Sequence, residues 1–163
     1  MIDVPDAVVV REVGLRDGLQ ILARTVPTSH KRAWLRGAHA AGLRHFEVAS
    51  FVPPRLMPQM ADAAEVVAAS LELPGAVVSV LVPNLRGAER ALASGPHAPG
   101  ASGNVATEDV AHLFASMGVP TGLDLTELLR LRGDLAHWLP GEPLHGAIAR
   151  AGLPKTLAAE AVA

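Results

Sequence analysis

Three short apolar runs alternate with helical patterns over the first 93 residues, and this alternation constrains the fold more than any other feature of the sequence. Runs rich in β-branched residues predict strands, and apolar residues at helical spacing predict the helices between them. Ser29 suits a helix N-cap, and Gly42 suits the residue after a helix C-cap. Strands that are separated by single helices form a parallel sheet covered by those helices. The predicted strands are 7–10, 43–49 and 76–82, and the predicted helices are 31–41, 60–71 and 85–93.

The alternation stops after residue 93. Residues 94–104 form a predicted loop of small and turn-forming residues. Thr107 then suits a helix N-cap, and Glu108 and Asp109 follow it in the first turn, where the helix dipole favours acids. We therefore divide the chain into an N-terminal part, 1–93, and a C-terminal helical part, 94–163, that pack as one compact domain. The predicted C-terminal helices are 110–117 and 123–131, with a further turn at 135–139 and a Pro- and Gly-broken tail from Pro140.

Composition excludes several classes of function. The chain has no cysteine, so thiolate metal sites, disulfides and thiol nucleophiles are excluded. Its formal net charge of -2 and its 3% of aromatic residues argue against a nucleic-acid or membrane surface. The first six residues contain two acids and no basic residue, which is unlike a targeting leader, and we expect a cytoplasmic protein.

The first candidate site lies in the loop that follows the first predicted strand. It contains Arg16, Asp17 and Gln20 on a loop made flexible by Gly14 and Gly18, at the strand end where α/β folds place their active sites. Asp17 offers a carboxylate oxygen to a divalent cation, and Arg16 offers a positive charge to an oxyanion. The alternative is a structural one, in which Arg16 and Asp17 form an ion pair beside an Asp-Gly turn. From the residue types alone, this structural role is more common than a catalytic one.

Two further positions carry chemistry in a less specific way. Glu47 interrupts an apolar strand, so its carboxylate either points outward or is buried beside a partner. Asn104 can bind a metal through its amide oxygen, although Gly-Asn in a loop is usually a turn. The seven histidines include no pair at a spacing of two or four residues, so the sequence shows no His-pair metal site.

Three segments together resemble one enzyme family. They are residues 11–20, REVGLRDGLQ; residues 46–60, with FVPPRLMPQM at 51–60; and residues 98–109, APGASGNVATED. The sequence is similar in these segments to hydroxymethylglutaryl-CoA lyases, a metal-dependent TIM-barrel group. The first segment fits the wider group, whereas the second and third are particular to the lyases. The similarity extends to residues 82–87 and 149–155.

The resemblance implies an eight-stranded barrel that cleaves 3-hydroxy-3-methylglutaryl-CoA to acetyl-CoA and acetoacetate with Mg²⁺ or Mn²⁺. Such a cleavage needs a base for the tertiary hydroxyl, a cation on that oxygen and positive charge beside the developing enolate. By resemblance, Asp17 is a metal ligand and proton acceptor, and Arg16 stabilises the enolate and binds substrate. The remaining implied roles are metal binding by Asn104, tuning of the site by Glu47, and substrate binding by Gln20 and Ser50.

The sequence departs from the family in ways that predict an internal truncation. The family's His-x-His metal ligands are absent, and its proton-transferring Cys is replaced by Gly95, with His97 nearby. Three strand–helix units precede the family's terminal loop, whereas a barrel of this type has eight. We therefore expect a partial barrel of about three parallel strands, with the C-terminal helices covering part of the sheet, a weakly bound metal, and a junction near residues 93–95.

Three hypotheses remain for such a chain. It is a remnant of a lyase that has lost its middle, a non-catalytic module that binds a CoA ester or a protein partner, or an enzyme completed by another copy of the chain. The last requires a homo-oligomer, because unpaired sheet edges can associate between chains. We rank the remnant first and completion by a second copy last.

Overall fold

The computed structural model describes residues 7–83, 85–94 and 106–152, and these contain a three-stranded parallel sheet with helices beside it. The strands lie in the order β1-β2-β3, each paired in parallel with the next. The strands are β1, Arg11–Glu12; β2, His45–Ser50; and β3, Val77–Leu81. The helices are α1, Thr28–Ala40; α2, Ala63–Leu71; α3, Leu85–Leu92; α4, Thr107–Ser116; α5, Leu125–Trp138; and α6, Ile148–Ala151.

The central strand β2 holds the sheet together. Phe46 lies opposite Glu12 on one side and Val78 on the other, and it is buried. A shift in register between Glu47 and Ala49 leaves Val48 as an extra residue against β3. Every residue of β2 from Phe46 to Ser50 is buried, as expected for a strand with neighbours on both sides.

Helices α1 and α2 are joined by a buried ion pair. The Lys31 ammonium lies 2.5 Å from Oδ1 of Asp62 and 2.6 Å from the carbonyl oxygen of Gln59. The Thr28 hydroxyl donates to the other oxygen of Asp62 at 2.7 Å. Lys31 is 3% exposed, so its charge depends on these partners. Gln59 also donates its amide to the carbonyl of Leu22, which attaches the loop before α2 to the loop after β1.

Helix α5 packs antiparallel on α1. The amide of Asp124, at the start of α5, donates to the carbonyl of Ala41, at the end of α1. At the opposite end, the rings of His30 and Trp138 stack with centroids 5.1 Å apart. Gly42 adopts φ +99° against the Gly122 carbonyl oxygen, which a Cβ atom would strike. The C-terminal helices therefore lie beside the helical layer, and α4 reaches the sheet at the end of β1.

Several predicted boundaries are wrong. The first strand is Arg11–Glu12 and not 7–10, because β2 begins at His45 and Arg11 is the residue opposite it; Val9 is 73% exposed. Ser29 is not an N-cap, since α1 begins one residue earlier, after Pro27. The helix predicted at 123–131 continues to Trp138 and includes part of the predicted turn, and the Asp124 carboxylate caps it by accepting from the amide of Glu127.

Candidate active site

The loop after β1 is folded into a π-helical turn, Gly14–Gly18. The amides of Arg16 and Asp17 both donate to the carbonyl of Val13, at 3.1 and 2.7 Å, which fixes the direction of both side chains. A Cβ atom at Gly14 would lie 2.5 Å from the ring of Trp34 and 2.6 Å from a carboxylate oxygen of Glu12. Glycine is therefore needed where this turn passes over α1.

Arg16, Asp17 and Glu47 form one charged cluster at the carboxyl end of β1, beside the middle of β2. Nη1 of Arg16 donates to Oδ1 of Asp17 at 2.6 Å. Nε of Arg16 lies 2.7 Å from Oε1 of Glu47, an ion pair whose angle is unsuited to a hydrogen bond. Arg16 and Glu47 are nearly buried, whereas a third of the Asp17 side chain is exposed. Of the two interpretations of Glu47, the structure therefore supports the one in which its carboxylate is buried beside a partner, and that partner is Arg16.

Gln20 and Ser50 add two polar groups with unused hydrogen-bonding capacity. Within residues 7–83, 85–94 and 106–152, Oε1 of Gln20 and Oγ of Ser50 are buried and have no hydrogen-bond partner. Ser50 is completely buried at the end of β2. Because buried polar atoms are almost always paired, such atoms are candidates for contact with a bound molecule.

The described residues do not by themselves fit a metal ion. They contain no group of three or more His, Asp or Glu side chains placed to share a cation. Asp17 offers a partly exposed carboxylate, but one of its oxygens accepts from Arg16. The second predicted ligand, Asn104, lies outside the described residues, as do Gly95 and His97.

Glu12 connects the loop to the C-terminal part of the chain, a role that our sequence analysis did not assign. One of its carboxylate oxygens accepts from the amide of Gly14 at 2.6 Å, and the other accepts from the Thr107 hydroxyl at 2.7 Å. The prediction that Thr107 is an N-cap is wrong, because Ala106 occupies that position and the Thr107 hydroxyl is turned toward Glu12. A carboxylate at the end of a strand was the available signal, but its partner is 95 residues away.

The next two residues of α4 reach two other helices. Glu108 is buried, and one of its carboxylate oxygens lies 3.2 Å from Nη1 of Arg132 on α5. Burial raises the pKa of Glu108, an effect that the Arg132 charge opposes. Asp109 accepts from the amides of Ala147 and Ile148 at the start of α6, at 2.8 to 2.9 Å. Burial acts to raise the pKa of Asp109, but these hydrogen bonds and the charges of Arg132 and Arg150 together outweigh it, so the pKa of Asp109 is lowered.

Comparison with known proteins relates this chain to one group of enzymes. The chain is 44% identical over 93 residues to the 3-hydroxy-3-isohexenylglutaryl-CoA/hydroxy-methylglutaryl-CoA lyase of Pseudomonas aeruginosa, a match that covers 57% of this chain and 31% of the relative. It is 46% identical over 91 residues to the cytoplasmic 3-hydroxy-3-methylglutaryl-CoA lyase of Rattus norvegicus, covering 56% and 26%. The chain is a relative of the hydroxymethylglutaryl-CoA lyases.

The match to the lyases is partial. The chain spans about a third or less of the length of these curated relatives, and no family model matches it. A solved HMG-CoA lyase structure from Acinetobacter baumannii superposes with a TM-score of 0.80 at 20% identity, covering 95% of this chain and 98% of that one. The fold is therefore a partial TIM barrel, of which the described residues contribute three parallel strands. No helix in those residues is long and apolar enough to cross a membrane.

Proposed function

We propose that this chain is a hydroxymethylglutaryl-CoA lyase-like protein whose cleavage activity is impaired. The observation that carries the proposal is the cluster of Arg16, Asp17 and Glu47, which the loop after β1 and strand β2 bring together where β1 ends. Parallel α/β folds place catalytic groups at this end of the sheet. The reaction proposed by kinship is the cleavage of 3-hydroxy-3-methylglutaryl-CoA to acetyl-CoA and acetoacetate.

The three side chains divide the proposed chemistry in a simple way. Of the two carboxylates, that of Asp17 is more exposed than that of Glu47, and it is the one placed to accept the proton of the tertiary hydroxyl. The bond between the carbinol carbon and the α-carbon of the thioester then breaks, its electron pair passes to the thioester enolate, and a proton from solvent converts that enolate to acetyl-CoA. Arg16 stabilises that oxyanion, and Glu47 holds the guanidinium in place. Gln20 and Ser50 bind the substrate through their unpaired buried oxygens.

The impairment follows from the ligands that the chain lacks. A Mg²⁺ or Mn²⁺ ion polarises the substrate oxygen when it is bound, and Asp17 and Asn104 are the proposed ligands. The sequence contains no His-x-His pair and no cysteine, so two imidazole ligands and a proton carrier are missing. Loss of a group that merely supports a metal ligand costs about 10- to 100-fold in affinity or activity. Loss of two direct ligands predicts weak metal binding and little turnover.

A second function is favoured by the buried oxygens of Gln20 and Ser50. These atoms are suited to hold a ligand whether or not cleavage follows. One of the structurally similar lyases was solved in complex with coenzyme A and 3-methylmalate. A non-catalytic module that binds a CoA thioester is therefore the second candidate. Completion of the barrel by another copy of the chain is the third, since β3 has one paired neighbour within the described residues.

The cellular location is part of the same proposal. The curated relatives include lyases that are named cytoplasmic and others that are named mitochondrial. We propose a cytoplasmic location, the one named for the lyase of Rattus norvegicus.

Titration calorimetry with 3-hydroxy-3-methylglutaryl-CoA tests whether the cluster recognises a CoA thioester. We expect weak, saturable binding by the chain and by Arg36→Gln, a control at an exposed arginine of α1. We expect Arg16→Gln to lose binding by at least about tenfold, since a charge-assisted hydrogen bond contributes roughly 1.5–3 kcal/mol. Equal affinity in the two variants would show that the cluster is not the binding site. Release of acetoacetate in the same samples separates the lyase from the binding module.

A further inference from the structure

Glu12 holds the turn after β1 at its start. Its Oε1 accepts from the amide of Gly14 at 2.6 Å, two residues along the chain. Gly14 begins the π-helical turn. The carbonyl of Val13, next to it, accepts the amides of Arg16 and Asp17. The Glu12 carboxylate therefore fixes the residue from which the backbone of the charged cluster continues.

The other oxygen of the same carboxylate reaches the C-terminal part of the chain. Oε2 of Glu12 accepts at 2.7 Å from the hydroxyl of Thr107, the first residue of α4. The Glu12 side chain is buried, so water offers little replacement for either hydrogen bond. One buried carboxylate therefore joins the turn that carries Arg16 to a residue 95 positions away along the chain.

The two residues after Thr107 hold the first turn of α4 in place. Glu108 pairs with Arg132 of α5 at 3.2 Å. Asp109 accepts from two backbone amides at the start of α6, at 2.8 to 2.9 Å. The first turn of α4 is thus attached to two other helices independently of Glu12. A hydrogen bond from a fixed helix restrains its acceptor, so Thr107 limits the positions that the Glu12 carboxylate can take.

We propose that Glu12 is a positioning residue, through which α4 holds Arg16 and Asp17 in the arrangement that binds a CoA thioester. The inference rests on the proposed function, since it makes the ligand affinity of that cluster depend on a contact outside it. Coupling of this kind is reciprocal, so a bound thioester also strengthens the contact between Glu12 and Thr107. The C-terminal helices thereby control a cluster to which they contribute none of the three charged residues.

Two threonines of the chain provide a matched test. Thr107 and Thr28 are each half-buried, each begins a helix, and each donates its hydroxyl to a carboxylate oxygen at 2.7 Å. The acceptor of Thr28 is Asp62, before α2 and outside the turn. Thr107→Val and Thr28→Val therefore each remove one hydrogen bond to a charged group. A general loss of stability affects both variants alike, whereas loss of positioning affects Thr107→Val.

The two measurements are titration calorimetry with 3-hydroxy-3-methylglutaryl-CoA and the exchange of backbone amide hydrogens followed by NMR. We expect Thr107→Val to weaken binding of the thioester by about fivefold, within the range for residues that couple two parts of a protein. It should also speed exchange of the Arg16 and Asp17 amides by at least about threefold, because the turn opens more readily. Thr28→Val should leave both quantities as in the unaltered chain, and Thr107→Ser, which keeps the hydroxyl, should restore both.

Glu12→Asp is the second variant. It keeps the negative charge, but its side chain is one methylene shorter and does not reach both Gly14 and Thr107. It should weaken binding and speed amide exchange as Thr107→Val does, and it keeps the test valid if Thr107→Val does not fold.

The two measurements separate this inference from the proposed function. Absence of thioester binding by the unaltered chain contradicts the proposed function, and amide exchange then decides whether Glu12 holds the turn. The inference is overturned if the Arg16 and Asp17 amides exchange equally fast in Thr107→Val and the unaltered chain. It is also overturned if Thr28→Val has the same effects as Thr107→Val, or if the two variants bind the thioester equally tightly.

Discussion

Arg16 is the residue on which both the packing and the chemistry of the site depend. Its guanidinium is nearly buried and lies against two carboxylates, of which Glu47 is the less exposed. A buried guanidinium needs nearby negative charge, because it has little contact with water. Without the Glu47 charge, Asp17 is the carboxylate that still pairs with Arg16 among the described residues. The same contact that stabilises the loop therefore orients the group proposed to bind the oxyanion.

Substitution of Glu47 tests this dependence. We expect Glu47→Gln to lower the free energy of unfolding by about 2 kcal/mol, because a hydrogen-bonded or paired buried charge contributes roughly that much. Glu65→Gln is the control, since Glu65 is exposed and 4.0 Å from Arg32, and it should change stability by less than about 0.5 kcal/mol. Urea unfolding measures both. Equal losses in the two variants would show that Glu47 is not a buried partner of Arg16.

Glu108 and Asp109 predict opposite responses to pH. Burial raises the folded-state pKa of Glu108, so its contribution to stability is greatest below pH 4.5 and falls as pH rises through the raised value. Hydrogen bonds lower the pKa of Asp109, so its contribution is present above pH 3.8 and is lost as pH falls through the lowered value.

Unfolding measured across this range distinguishes the two acids. Relative to the unaltered chain, Glu108→Gln should become more stable as the pH rises from about 4 to 7, because it removes a carboxylate that is costly to ionise. Asp109→Asn should lose stability relative to the unaltered chain over its own window, as the pH rises from about 2 to 4. A Glu108→Gln curve parallel to that of the unaltered chain at every pH would contradict the assigned environment of Glu108.

At the scale of elements, the contact between α1 and α5 holds the C-terminal helices against the N-terminal part of the chain. Gly37 of α1 lies against Leu131 of α5, so that a Cβ atom there would be 2.9 Å from a leucine methyl. Leu131 is buried, and its methyl group would have to shift to admit the added atom. Gly133 is also inside α5, but a Cβ atom there would meet nothing within 4 Å. The two glycines are therefore a matched pair for testing this contact.

Thermal unfolding of two alanine variants makes that test. Gly133→Ala should stabilise the chain by about 0.5–1 kcal/mol, because alanine favours a helix over glycine. Gly37→Ala receives the same helical gain but should be less stable than Gly133→Ala by about 1 kcal/mol, since the added methyl forces the Leu131 side chain to shift. If both variants are stabilised to the same extent, α5 does not pack on α1 as described.

The elements that depend on local pattern were predicted well, and those that depend on distant partners were not. Helix α2 and strand β3 lie within three residues of their predicted bounds, because apolar periodicity and turn residues define them locally. The strand predicted at 7–10 is wrong because pairing with β2 selects Arg11 and Glu12. Long-range hydrogen bonding explains the other error, at Thr107, whose hydroxyl binds Glu12 instead of its own helix.

The candidate site divides in the same way. Sequence motifs singled out Arg16, Asp17 and Glu47, and the fold brings them into one cluster because the loop after β1 lies beside the neighbouring parallel strand β2. The buried network of Lys31 and Asp62 could not be predicted, since both residues are of types that usually lie at the surface. The assignments of catalytic, substrate-binding and metal-binding roles stay predictions.

At the scale of the whole molecule, the chain combines the charged cluster that we propose as its active site with a sheet of three described strands, where the barrel has eight. Parts of the sequence on both sides of residues 93–95 meet in the fold, through Glu12 with Thr107 and through α1 with α5. The division of the chain at 1–93 and 94–163 is our proposal for where the barrel's middle is missing. Such a chain can keep its packing while losing the ligands that turnover requires.

The most direct test of this account is the rate at which the chain releases acetoacetate from 3-hydroxy-3-methylglutaryl-CoA. The assay contains saturating Mn²⁺, and the full-length Pseudomonas aeruginosa relative is assayed beside it. We expect kcat/KM for this chain to be at least about a hundredfold below that of the relative, as the loss of two metal ligands predicts. A value within about tenfold of the relative would contradict the account, because it would show that three described strands and the Arg16 cluster suffice for the reaction.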